Sequence, residues 1–198
     1  MDRIASARRL VVGAMVAAAV LAVAYVGYRR MMHVDGETYF PDRATRALAK
    51  AVVAGDTAAI RARAAAADLN GLTRHGRWTL LTWAINYRPR YAPLLLELGA
   101  DPNLVPPAGQ PPLWTAVTRG QPATVRALLA HGADPNGGRL MPTRPVLFDA
   151  LWAPEREMFR LLLEHGADPR SINADGATIA LEAARQERWE DALLAVQA

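Results

Sequence analysis

One short string constrains this chain more than any other feature. Gly99-Ala100-Asp101-Pro102-Asn103 returns as Gly132-Ala133-Asp134-Pro135-Asn136, and again, without its last residue, as Gly166-Ala167-Asp168-Pro169. The spacings are 33 and 34 residues, and a step of 33 back from the first copy meets a degraded one, Ala66-Ala67-Asp68-Leu69-Asn70. A fixed period of this size marks a solenoid, in which no unit buries its apolar face alone and neighbours stack into one continuous core. Each copy follows an apolar run: Leu94-Leu95-Leu96, Val125 to Leu129, and Leu161-Leu162-Leu163. Gly132 and Gly166 then suit the left-handed position just past a helix. The Asp-Pro-Asn that follows is turn chemistry, because Pro fixes φ and Asn tolerates left-handed backbone.

A second, shorter helical pattern precedes each apolar run. It reads Pro111-Pro112-Leu113-Trp114-Thr115-Ala116 before Gly120-Gln121-Pro122, then Pro145-Val146-Leu147-Phe148-Asp149-Ala150, then Asp175-Gly176-Ala177-Thr178. Pro at the first helical position loses no intrahelical N–H, and Pro122 fits that role in a second helix. The combined pattern resembles the ankyrin repeat over roughly residues 42–198. The resemblance implies an all-α ankyrin-repeat solenoid of about five helix-turn-helix units joined by hairpin-like loops. The repeats are expected near 42–70, 71–103, 104–136, 137–170 and 171–198. The first keeps Ala51 and Gly55-Asp56 but lacks the Pro-Leu start, as an N-terminal cap would. The last reads as a C-terminal cap with a truncated second helix and with Arg185, Gln186, Glu187 and Arg188 on its surface. In the second, Trp78 to Ala84 is best registered with Ala84 at the small buried position, while Pro89 and Pro93 shorten its second helix.

The formal charge of +4 belongs to the N-terminus. Residues 1–33 hold Arg3, Arg8, Arg9, Arg29 and Arg30 against Asp2, which leaves 18 basic and 18 acidic residues in 34–198. A neutral body argues against nucleic acid as partner. The absence of cysteine removes disulfides, thiolate catalysis and Cys-based zinc sites.

Residues 1–9 form a short basic leader, and 29–41 a linker. Between them Leu10 to Tyr28 is an uncharged run of nineteen residues bracketed by arginine pairs. At 1.5 Å per residue it nearly spans the ~30 Å hydrocarbon layer, so a single transmembrane signal-anchor helix is expected to contact the lipid bilayer there. Ala22-Val23-Ala24 also has the shape of a cleavage site, which leaves open a signal peptide removed near Ala24. The charge balance favours an N-inside orientation. The body would then face the periplasm from a bacterial inner membrane, or be released into it. The soluble body is expected to be monomeric.

No catalytic or cofactor signature stands out. The two serines, Ser6 and Ser171, lie outside any nucleophile-elbow motif, and Lys50 is in no phosphate loop. His131 and His165 recur at one position of successive repeats, roughly 10 Å apart by helix packing, too far to share a zinc at ~2 Å from each ring. Both are expected to pack beside the Gly-Ala-Asp turn. The chain is therefore expected to bind a protein rather than to catalyse a reaction or take a small-molecule substrate, cofactor or metal. The ankyrin resemblance implies binding through the first helices and hairpin tips. The candidate contacts are Trp83, Asn86 and Tyr87 in repeat two, Thr115, Thr118 and Arg119 in repeat three, and Asp149 and Trp152 in repeat four. Aromatic and Arg side chains anchor many protein interfaces.

A narrower resemblance rests on Phe40-Pro41-Asp42-x-x-x-Arg46-Ala47-Leu48, Gly55-Asp56 and the Leu81-Thr82-Trp83-Ala84 start of repeat two. These residues look like those of small bacterial envelope ankyrin proteins, often encoded beside lipase toxins delivered by type VI secretion. Leu81-Thr82-Trp83-Ala84 and Pro111-Pro112-Leu113 depart from the fuller pattern of that group. The resemblance implies an immunity protein that captures a lipase-type toxin. The competing expectation is an envelope-assembly or regulatory adaptor that recruits a resident protein.

Overall fold

A computed structural model describes residues 39–137 and 145–198. The leader, the 10–28 segment, the possible cleavage site and most of the 29–41 linker lie outside the described residues. Among the described residues no helix is long and apolar enough to cross a membrane.

Ten α-helices form five pairs among the described residues. They are α1 (Arg43–Ala54) with α2 (Thr57–Ala64), α3 (Leu80–Tyr87) with α4 (Ala92–Glu97), α5 (Pro112–Thr118) with α6 (Pro122–Ala130), α7 (Val146–Trp152) with α8 (Glu157–Glu164), and α9 (Ile179–Arg185) with α10 (Trp189–Gln197). First helices pack on first helices along the stack, and second helices on second from repeat two onward. Five alanines recur at one register position of the first helices: Ala84, Ala116, Ala150 and Ala183 are fully buried and Ala51 nearly so. Ala84 therefore takes the position expected of it. The second helices supply the bulk, with Leu95, Val125, Leu128, Phe159 and Leu162 all fully buried.

Local sequence explains where the helices start and stop. Asp42 caps α1 by accepting from the Thr45 amide, and Asp56 caps α2 by accepting from the Ala59 amide. The Thr45 amide and hydroxyl hold the Asp42 carboxyl below its usual range. Thr79 and Thr82 bond reciprocally at the start of α3. Pro112 and Pro122 open α5 and α6 in the expected way. Pro89 begins a 3-10 turn, Pro89–Tyr91, and α4 is left with six residues, as Pro89 and Pro93 imply. Gly132 and Gly166 have φ of 83° and 90°, the left-handed backbone expected after α6 and α8. Hairpin tips connect the repeats, marked by the isolated bridges Leu72–Thr79 and Ile172–Thr178.

Two expectations about the ends need correction. α10 is not truncated: it runs nine residues, as long as α6. Arg188 is not a surface residue but is 6 % exposed. Its guanidinium donates to the carbonyls of Ala150 and Leu151 at the end of α7, pairs with Asp191 and sits over the Phe159 ring. Gln121 takes the same place two junctions earlier, where it donates to the Ile85 carbonyl at 2.9 Å. At the front end, Phe40 is fully buried against Trp83, so part of the stretch expected to be linker belongs to the packed body.

The Asp and Asn of the recurring string hold the turns together. Asp68, Asp101 and Asp134 each accept from the amide two residues on, which is Asn70, Asn103 or Asn136. Each Asn then reaches the next repeat. The side-chain oxygens of Asn70, Asn103 and Asn136 accept from the amides of Asp101, Asp134 and Asp168 at 2.8–2.9 Å. Asn103 and Asn136 also donate to the carbonyls of Gly132 and Gly166 at 2.9 Å. Asn70 keeps its rung although the rest of its string is degraded.

Replacing Asn136 by Ala removes two such bonds. The expected loss is about 1–2 kcal/mol in urea unfolding of the full chain; an unchanged midpoint would show that the ladder contributes nothing. Glu187 presents the opposite case. It has φ of 58°, in the turn position where Gly55 and Gly120 have 78° and 64°. Left-handed backbone costs a side-chain-bearing residue about 1–2 kcal/mol, partly offset by the larger unfolded-state entropy of Gly. Glu187→Gly is expected to raise the thermal midpoint, by a net ~0.5–1 kcal/mol, whereas a fall would mean that the carboxylate stabilises this turn.

Candidate functional site

Registering the first helices on their buried alanines sorts the candidate contact residues into rows. Trp83, Thr115 and Asp149 each precede that alanine. Asn86, Thr118 and Trp152 each follow it by two, and Tyr87 and Arg119 follow by three.

The first row does not face solvent, and two of its members are corrections. Trp83 is fully buried, because Phe40 covers one side at 6.1 Å between ring centroids and Tyr87 lies against it at 6.0 Å. Thr115 is 4 % exposed, and its hydroxyl donates back to the Pro111 carbonyl at 2.9 Å. Neither residue is free to anchor a partner. Asp149 is half-buried and accepts from Trp114 Nε1 of the preceding repeat at 3.0 Å, so it joins repeats three and four.

The other rows do reach the surface. Thr118 and Arg119 are exposed, Asn86 and Tyr87 are half-buried, and Trp152 is 65 % exposed. Thr118 donates its hydroxyl to the Trp114 carbonyl, and Asn86 donates its amide to the Thr82 carbonyl. Burial raises the Tyr87 pKa first, with Tyr39 adding to the effect and Arg119 and Arg77 opposing it.

A groove of about 460 Å³ lies between the hairpin tips of repeats two and three and beside these rows, lined among others by Arg77, Trp78, Asn86, Gln110 and Arg119. Its walls are fixed by close backbone contact. The Ala108 amide donates to the Gly76 carbonyl at 3.0 Å. A side chain on Gly109 would sit 1.9 Å from the Arg77 carbonyl oxygen, so only glycine lets the two tips approach this closely. Trp78 is held by Tyr39 and Tyr87, each at 5.6 Å, and the Arg77 guanidinium lies 5.8 Å from its centroid.

Arg77, Trp78 and Gln110 are absent from the sequence-derived contacts. The tip of repeat two has two residues, Arg77 and Trp78, between Gly76 and its helix-capping Thr79, where the last repeat has only Ala177 between Gly176 and Thr178. That extra residue is the signal in the sequence that marks Arg77 and Trp78. Chemistry elsewhere is sparse: among the described residues no group of His, Asp and Glu has the arrangement to hold a metal ion. His131 and His165 each place Nδ1 2.8 Å from a carbonyl of their own helix, Ala127 and Leu161, beside the Gly-Ala-Asp turn.

The paired helices, hairpin tips and left-handed Gly turns are those of the ankyrin fold, and the ankyrin repeat family profile matches residues 108–137, from the tip of repeat three through its closing turn. This chain is an ankyrin-repeat protein, and ankyrin repeats are modules for binding proteins. Among curated proteins it is similar to Protein PhlB of Serratia liquefaciens, 38 % identical over 100 residues. That stretch covers 49 % of this chain and 43 % of the relative, so less than half of the relative's length is matched.

Burial separates the two tryptophans by consequence. Trp83→Ala is expected to destabilise the full chain by about 3–5 kcal/mol. Trp152→Ala is expected to shift stability by less than ~0.5 kcal/mol. Thermal melts of both variants check this; equal losses would mean that Trp152 is packed rather than presented.

Proposed function

We propose that this ankyrin stack is a membrane-tethered immunity protein that binds a toxic effector, such as a type VI secretion phospholipase, and covers its active site. The observation that carries the binding part is the row Asn86, Thr118 and Trp152 with Tyr87 and Arg119 beside it. Equivalent positions of three successive repeats carry solvent-reaching side chains there, next to a preformed groove. Trp152, 65 % exposed, has the size and amphipathic character of an interface anchor.

The effector part rests on the resemblance at the start of the body. Its residues also serve the fold: Asp42 and Asp56 cap helices, and Arg46 donates to the carbonyls of Phe40 and Pro41. Inhibition in this reading is steric and needs no chemistry from the stack. An anchor at residues 10–28 with the body in the periplasm keeps the inhibitor beside the bilayer that a phospholipase attacks, which raises its effective concentration there.

The test is co-expression of the full chain with the product of a neighbouring lipase gene. The expected result is protection of the cells and co-purification of the two proteins, with affinity lowered about tenfold or more in Trp152→Ala. A wild-type chain that neither captures the lipase nor protects the cells ends the immunity reading. Recovery of a resident envelope protein instead would support an adaptor.

A further inference from the structure

The body of the protein is neutral in sum but not in distribution. Residues 39–137 carry eleven Lys and Arg against six Asp and Glu, while residues 145–198 carry five against ten. Repeats one to three are therefore positive, and repeats four and five are negative even with Arg139 and Arg144 counted, at seven Lys and Arg against ten Asp and Glu over 137–198. The groove lies in the positive part. Arg77 and Arg119 both line it, no Asp or Glu does, and neither guanidinium forms an ion pair among the described residues. Some arginines elsewhere on the surface are paired, as in Arg61 with Glu97 and Arg126 with Glu157.

Building on the protein-binding reading, we propose that this groove seats an acidic segment of the partner protein. Arg77 and Arg119 hold its carboxylates, and Trp78 packs against its apolar atoms. Three features select a short acidic peptide over other anions. Arg is suited to carboxylates because its planar fork of donors matches both oxygens. Trp78 and the amides of Asn86 and Gln110 add the apolar surface and the hydrogen-bonding groups that a peptide backbone uses. The negative repeats four and five repel any long polyanion laid along the stack, which disfavours a nucleic acid strand or an anionic lipid sheet. The groove is also set before binding, since the tips are joined backbone to backbone and Trp78 is clamped between two tyrosines.

The probes are fluorescein-labelled ten-residue peptides rich in Asp and Glu around one Leu, their Asn and Gln counterparts, a ten-nucleotide single-stranded DNA, and phosphatidylglycerol vesicles. Binding to the full chain is read by fluorescence polarisation and, for vesicles, by flotation. The acidic peptide is expected to bind better than all other probes, and more weakly as salt rises. The double variant Arg77→Gln with Arg119→Gln is expected to lose at least about fivefold in affinity, while Arg→Lys at both positions recovers part of it. Thermal melts of the variants establish that they fold. Equal binding of neutral and acidic peptides, preference for DNA or vesicles, or an unchanged affinity in the Gln variant each overturns the proposal. The partner pull-down separates this failure from that of the function. A partner captured equally by wild type and the Gln variant removes the groove's role and leaves protein binding standing; a wild-type chain that captures nothing removes the function itself.

Discussion

The alanine column is the constraint on which the rest of this structure depends. Ala51, Ala84, Ala116, Ala150 and Ala183 stand at one register position of consecutive first helices and are buried there. Small side chains there let the first helices lie side by side, and only then do the larger second-helix residues close the core behind them. A larger side chain at any of these sites would wedge two repeats apart. The displacement would reach the turns, whose inter-repeat hydrogen bonds tolerate only a few tenths of an ångström. Each repeat completes its neighbour, so the interface between repeats, rather than the repeat, is the unit of stability.

Much of this was legible locally. The opening prolines at 112 and 122 and the left-handed glycines at 132 and 166 act within a few residues of themselves, and single-sequence reasoning reaches that far. The asparagines show where it stops. Their suitability for a turn is a local property, but their bonds are made 29–32 residues away, and no local pattern announces them. Arg188 failed for a related reason: its length and charge read as surface, while its partners are carbonyls 37 and 38 residues earlier in the chain. Trp83 and Thr115 looked like contact residues because first helices face partners in this family. Their shared register position points into the stack, and at Trp83 the ring of Phe40 closes the remaining side.

The site shows how a summed charge conceals its arrangement. Equal numbers of basic and acidic residues in the body suggest an electrostatically bland surface. The stack instead sorts them along its length, because each repeat occupies its own place in a linear array and sequence neighbours stay spatial neighbours. The tip of repeat two, one residue longer than that of the last repeat, then places an arginine and a tryptophan in a groove inside the positive part. A groove of this character thus arises from ordinary repeats by one small change of loop length.

The asparagine ladder has an end, and the end has a direction. Arg170 stands where the other strings carry Asn, so no amide rung leads from repeat four to repeat five. The buried guanidinium of Arg188 takes over the joining of that junction from the opposite side of the helices. Beyond it, Trp189, Leu193 and Val196 are exposed on α10. In a one-dimensional array, melting starts where coupling is weakest. Helix contacts are sparser at the first and last junctions than at the middle ones. This stack is therefore built to fray from its ends while the middle repeats, carrying the groove and the exposed row, remain closed, and its amide protons should exchange as a gradient along the chain rather than in a single step.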